Sequence, residues 1–346
     1  MPLPLQVTTE AAAEPATSGA AAAPAAGSGA AGPRNLDKLQ CTVEERLGVS
    51  RAVYAAAGGV RVRQHVNPLK RELQIPTDAP EWSQVYDQPE RPIVLDLGCG
   101  YGRFLLALTC GYGRFLLALT QAMPGHNMLG LEIREPIIER ANRWAEHLQL
   151  QRSVLFLRGN ATITLEHTLA DYPGSLDLVC VQFPDPHFKA RHKKRRTVQK
   201  QTVEAVARLM PPGGRVFLQS DVLEAAEHMR DTFEEFGSAW FAPCPELHSG
   251  PVFHAASEPR PAAQQQQQVA AAAADAADAA ASSSSDDGGS SSGEEAQQQR
   301  QQQPAWQSQW AALGWLQDNP LGVPTEREVL TTEQGLPVYR VMLRCL

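Results

Sequence analysis

The sequence predicts a doubly wound α/β fold, and three observations carry that prediction. From about residue 91 short apolar runs alternate with helical stretches in steady order, the pattern of parallel strands joined by right-handed crossovers. A glycine-rich turn, Gly98-Cys99-Gly100-Tyr101-Gly102, follows the first of those runs directly. Asp96, Glu132, Asn160, Asp185 and Asp221 each fall at or just past the end of a run, on the carboxyl edge where open α/β sheets hold their ligands.

Taken in order, PIVLDLG (92–98) reads as a buried strand and RFLLALT as the helix behind the glycine turn. NMLGLEI (127–133) is the second strand, followed by the helix EPIIERANRWAEHL (135–148). VLFLRGN (154–160) and LDLVCVQF (176–183) are the third and fourth strands. TVEAVARLM (202–210) is helical, GRVFLQSD (214–221) is the fifth strand, and LEAAEHMRDTFEEF (223–236) is another helix.

Two stretches lack the large apolar side chains needed to offset the entropy of ordering a chain. Residues 1–33 are mostly Ala, Pro, Gly and Ser, and 256–304 run through glutamine, alanine and serine tracts. The expected organisation is a disordered leader over 1–40, one domain formed by 41–255 plus 305–346, and a disordered insert over 256–304. An excursion of that length adds little closure entropy. No apolar run approaches the ~20 residues of a membrane span. The six cysteines are scattered without a CxxC pair, which suits a reducing compartment without structural zinc or a disulfide frame. The N-terminal stretch carries Glu10 and Glu14, little serine and no basic residue before Arg34, a poor transit peptide. The expected location is intracellular: plastid, or cytoplasm and nucleus.

The glycine turn occurs twice: Cys99–Thr109 and Cys110–Thr120 both read CGYGRFLLALT. Glycines after a strand let backbone approach a ligand and set helix N–H groups at its mouth. Glu132, at the end of the second strand, is the acid that would accept from ribose hydroxyls, which usually lies ~20 residues beyond the glycines. Thirty residues separate Gly102 from Glu132, and removing one eleven-residue copy leaves nineteen. The repeat therefore reads as an insertion into an ordinary unit. Only the first copy joins the strand, so Gly98, Gly100 and Gly102 are assigned the ligand. The second copy either extends the helix or bulges out as a loop.

The formal net charge is −7, yet no acid occurs between Asp185 and Glu204, and KARHKKRR (189–196) is nearly all basic. An ordinary solvated face would mix signs; this stripe suits phosphate. His187 and His192 have no third ligand nearby, which argues against a metal. Phe188 could stack on an exposed base or fill the core. Asp221 could cap the helix that follows it, and Asn160 could be a turn residue.

LDLGCGYG, GLEIRE and FPDPHFKARHKKRR together resemble the tRNA (guanine-N7-)-methyltransferase family. NPLGVPTEREV and VYRVMLRC near the end also fit, and RVRQHVNPL (61–69) resembles the plant and algal branch. The likeness covers roughly 50–255 and 310–346 and departs from the pattern in the doubled glycine segment and the long insert. It implies a Rossmann-like class I methyltransferase fold with a mostly parallel seven-stranded sheet. It also implies S-adenosyl-L-methionine as methyl donor and guanine 46 of the tRNA variable loop as acceptor. Matching motifs would put Asp96, Gly98, Gly100, Glu132, Arg134, Asn160 and Ala161 around the cofactor, with Asp185 as the catalytic aspartate. Lys189, Asp221, Thr325 and Glu328 would handle the substrate. Arg191, Lys193, Lys194, Arg195 and Arg196 would lie against RNA. Bacterial-type members act alone and the eukaryotic cytosolic type works with a WD-repeat subunit; the plant-like motifs lean toward acting alone.

Two other functions share parts of this pattern. A nicotinamide-dependent dehydrogenase has the glycine turn and the acid, but its G-x-G-x-x-G would place the third glycine one position later, and FPDPHFK would go unexplained. An RNA-binding protein with a spoiled cofactor loop would keep the basic run but need not keep the polar groups at the strand ends.

Overall fold

The computed structural model describes residues 66–100, 123–147, 149–188, 190–255 and 306–346. The expected leader, insert, Gly102, the RFLLALT helix, the second glycine copy and Lys189 lie outside them, as do the side chains of Arg191 and Glu326.

Five strands, β1 (Ile93–Leu97), β2 (Asn127–Glu132), β3 (Val154–Arg158), β4 (Leu176–Gln182) and β5 (Arg215–Ser220), pair in parallel. Together with β6 (Phe241–Pro243) and β9 (Tyr339–Cys345) they form a seven-stranded sheet of order β3-β2-β1-β4-β5-β9-β6. β9 runs antiparallel to both its neighbours. The order reverses at β1, whose neighbours are β2 and β4, so a crevice opens at the carboxyl tips there. A separate ribbon pairs β7 (Val252–Phe253) with β8 (Trp315–Leu316).

Alternation along the strands divides the core in two. Leu95, Leu97, Leu131, Val179, Val181 and Leu218 face α1 (Trp82–Val85), α3 (Ala161–Leu169), α4 (Lys200–Leu209) and α5 (Leu223–Gly237), meeting Leu165, Val206 and Phe233. Val94, Met128, Phe156, Cys180 and Phe217 face the other way, onto Ile137, Ile138 and Trp144 of α2 (Glu135–His147). Each fully buried side chain of this size contributes about 1.5–3 kcal/mol. The strands end one or two residues before the sequence pattern does: Gly98, Asn160, Phe183 and Asp221 leave the ladder. The last two helices, α6 (Pro245–His248) and α7 (Glu326–Glu333), complete the described residues. No helix among them is long and apolar enough to cross a membrane.

Candidate active site

A cleft of about 510 Å³ opens over the carboxyl tips of β1, β2, β3 and β4, within the range of about 300–1,000 Å³ usual for small-ligand sites. Gly98, Gly100, Glu132, Arg134, Asn160, Ala161 and Asp185 all line it. The sequence scattered these residues over nearly ninety positions; the fold brings them to one wall.

Gly98 has φ +73°, a left-handed conformation open to glycine at little cost. Gly100 serves close approach instead. Its N–H donates to Glu132 Oε2 at 3.0 Å, and a Cβ there would lie 2.8 Å from both Glu132 Oε2 and Ile137 Cγ2. Glu132 is 3% exposed. Its Oε1 accepts from the N–H groups of Ile133 (2.9 Å) and Arg134 (3.1 Å) and from Arg134 Nε (2.9 Å). Arg134 Nη2 donates to Glu132 Oε2 at 3.1 Å and to the Gly100 carbonyl at 2.6 Å. Glu132, expected as a ribose acceptor, is in the structure the knot that fixes the glycine turn to β2.

Asn160 caps α3, accepting from Thr162 N at 3.3 Å and Thr162 Oγ1 at 2.9 Å. Its Nδ2 donates to the carbonyls of Pro68 and Leu73, each at 3.2 Å. It therefore fastens residues 66–74 to the cleft, where Val66, Pro68, Leu69 and Gln74 join the lining. The sequence showed this segment only as RVRQHVNPL, without assigning its residues a place in the site.

Asp96 differs from the other cofactor-assigned positions: it is 3% exposed and is not among the lining residues. Burial pushes its carboxyl up to about 7 from 3.8; the neighbouring Gln182 amide opposes the shift and the Glu132 charge adds to it. The folded chain thus holds this proton more tightly than the unfolded chain. Stability should fall as pH rises from about 4 to about 7 and level off above, with an amplitude on the order of 4 kcal/mol. Asp96→Asn should flatten that slope in denaturant titrations across the same window. An unchanged slope would show that Asp96 is not its source.

Asp185 rides the loop leaving β4. Phe183 (φ +49°) and His187 (φ +43°) both adopt left-handed backbone, which costs non-glycine residues about 1–3 kcal/mol each. Pro184 and Pro186 stiffen the turn between them. Arg196, 6% exposed, closes its far end: Nη2 donates to the His187 carbonyl at 3.2 Å and to Glu224 Oε1 at 2.9 Å. The rings of His187 and His192 meet edge to face with centroids 6.4 Å apart. Phe188 is half-buried, outside the cleft lining. Beyond it a 3-10 turn (Ala190–Arg195) carries exposed Lys193 and Lys194, and Lys194 and Arg195 reach the cleft rim. The basic run therefore divides in two. Lys193, Lys194 and Arg195 border solvent or the cleft, whereas Arg196, which also lines the cleft, is buried and bonded to the loop.

The family described as "Putative methyltransferase" matches residues 106–271. A tRNA (guanine-N(7)-)-methyltransferase of Synechococcus sp. (strain JA-3-3Ab) is 36% identical over 285 residues, 82% of this chain and 86% of that protein. The chain belongs to the tRNA (guanine-N7-)-methyltransferase family. The enzyme of the same name from Synechococcus elongatus is 37% identical over 82% of this chain and 95% of its own length. That of Thermosynechococcus vestitus is 46% identical over 179 residues, 52% of this chain and 78% of its own.

Within this methyltransferase the remaining substrate-assigned residues Asp221, Thr325 and Glu328 lie outside the cleft lining. Asp221 is 5% exposed and pairs with Arg327. It does not cap α5: Val222 holds that position, and its N–H donates to Ser220 Oγ at 3.1 Å. Thr325 caps α7, with Oγ1 accepting from Glu328 N at 3.1 Å. Glu328 is 4% exposed; Oε1 accepts from Arg340 Nη2 and Oε2 from Asn319 Nδ2, both at 2.8 Å.

Proposed function

We propose that this enzyme transfers methyl from S-adenosyl-L-methionine to N7 of guanine 46 in tRNA. The observation that carries the reading is Asp185, held between two prolines on a strained loop and facing the cleft lined by the first glycine copy. The lining fits such a cofactor: Gly98 and Gly100 line the cleft, a Cβ at Gly98 would meet nothing within 4 Å, and Arg134, Asn160 and Ala161 would stand around the ligand. When bound, it supplies an electrophilic methyl on a sulfonium.

Guanine N7 carries its own lone pair, so the new N7–CH₃ bond forms as the S–CH₃ bond breaks, without prior proton removal. The chain's work is positioning, which can supply about 7–11 kcal/mol of barrier reduction. The Asp185 carboxylate accepts from the N1–H and N2–H₂ edge of the base and stabilises the positive charge that grows on the ring. Arg196 holds the His187 end of that loop. Transfer of labelled methyl to bulk tRNA, mapped to N7 of guanine 46, tests this directly; methyl on another atom or position refutes it. Thermal stabilisation by S-adenosylhomocysteine and not by NAD separates the reading from a dehydrogenase.

Lys193, Lys194 and Arg195 meet the phosphates, contacts that orient RNA without reading its sequence. Raising salt from 50 to 200 mM should therefore weaken tRNA binding at least about tenfold, with a log–log slope of about −0.7 to −0.9 per phosphate neutralised. Replacing Lys193 and Lys194 by Ala should make the slope shallower by one to two such contacts while S-adenosylhomocysteine binding stays put. A flat salt response in the native enzyme contradicts the assignment. On this reading the enzyme acts without an obligatory protein partner.

A further inference from the structure

A buried file of polar side chains crosses the carboxyl edge of the sheet, outside the cleft. Arg340 on β9, Gln219 on β5 and Gln182 on β4 are register partners, and Glu328 of α7 reaches in between the first two. They are 5%, 0%, 9% and 4% exposed respectively. Arg340 Nη2 donates to Glu328 Oε1 at 2.8 Å. Gln219 Nε2 is shared between Glu328 Oε2 at 3.2 Å and Gln182 Oε1 at 2.6 Å.

The chemistry of the file gives it a direction. An ionised carboxylate only accepts, so Glu328 decides which end of the Gln219 amide turns toward it. That choice presents Nε2 to Gln182 and obliges Gln182 to offer its oxygen toward β5, leaving its nitrogen on the β1 side, near Asp96. Gln182 is the residue before Phe183, where the left-handed loop bearing Asp185 begins. Phe183 N also donates to the Gln219 carbonyl at 2.8 Å. The root of the loop is thus gripped twice by Gln219, once through backbone and once through the side chain that Glu328 orients. A carboxylate–guanidinium pair this deep is costly to bury and weak as stabilisation alone.

We infer that Glu328 is a positioning residue, acting through Gln219 and Gln182 to hold the loop that presents Asp185. This rests on the proposed role of Asp185 and departs from a direct contact between Glu328 and the guanine. The decisive variants are Gln219→Leu, which keeps volume and leaves the Arg340–Glu328 pair intact, and Glu328→Gln. Each should lower kcat for tRNA methylation about ten- to a hundredfold, the scale of a small misplacement, with the KM for tRNA and the affinity for S-adenosylhomocysteine within twofold of native. Combined, they should lose no more than the worse single variant, because one path is broken twice. Amide exchange at residues 183, 185, 187 and 188 should quicken in Gln219→Leu while β3 stays protected. Should Glu328→Gln fail to fold, Gln182→Leu takes its place in the pair. A raised KM for tRNA with multiplicative losses would overturn the inference in favour of direct contact, and so would native exchange in the loop of Gln219→Leu. A native enzyme that leaves guanine N7 unmethylated would sink the functional reading alone, since loop exchange still reports on the file.

Discussion

Asp185→Asn should lose about 10²- to 10³-fold in kcat, the penalty for removing one preorganised group that stabilises transition-state charge, while S-adenosylhomocysteine binds almost as before. Two effects add. The carboxylate opposes the positive charge that develops on the methylated ring, and an amide cannot. The amide also turns an N–H₂ group toward a base edge made of donors, so one of two hydrogen bonds becomes a repulsive contact. The loop itself should survive the change, because its shape is set by Pro184, Pro186 and the left-handed Phe183 and His187, and by Arg196 gripping the His187 carbonyl. Isothermal titration with S-adenosylhomocysteine beside single-turnover methylation would read both quantities. Equal losses in the two would mean that Asp185 holds the cofactor rather than the base.

Most of the sheet was legible because its central strands are buried on both faces and sharply bounded. All five residues of β1 and all six of β2 are buried, and such runs stand out from amphipathic helices. Helix α3 was hidden, its ATITLEHTL lacking a clear apolar stripe, and the two- and three-residue strands β6, β7 and β8 are too short to show a period. At the site, position along the strand was enough to find Glu132, Asn160 and Asp185. What each side chain touches was not readable. Glu328 meets Gln219 across 109 positions of sequence, and nothing in TERE announces that its second acid turns inward. Gln182 and Gln219 look like ordinary polar positions at strand ends, and their partnership appears only once β4 and β5 are in register. Asn160 shows the same limit: a helix cap and a clasp on residues 66–74 use opposite ends of one amide. The sequence offered Asn160 only as a turn residue beside its cofactor assignment, and both of these uses stayed concealed.

Gly100→Ala should weaken S-adenosylhomocysteine binding about ten- to a hundredfold, in line with the 1–3 kcal/mol that overpacking costs. The added methyl would sit 2.8 Å from Glu132 Oε2 and 2.8 Å from Ile137 Cγ2. Neither neighbour can retreat. Ile137 is wholly buried in the core beneath α2, and Glu132 is anchored by two backbone N–H groups and the Arg134 guanidinium. The glycine turn must move instead, stretching the 3.0 Å bond from Gly100 N and the Arg134 contact with the Gly100 carbonyl. Gly98→Ala is the informative contrast. Its Cβ would meet nothing within 4 Å, so the φ of +73° costs about 1–2 kcal/mol of folding stability with a smaller loss of binding. The same change at Gly111, the counterpart of Gly100 in the second copy, should leave affinity at the native value. If Gly111→Ala abolishes binding and Gly100→Ala does not, the ligand belongs to the second copy, and the wall built by Glu132 and the first copy is only its scaffold.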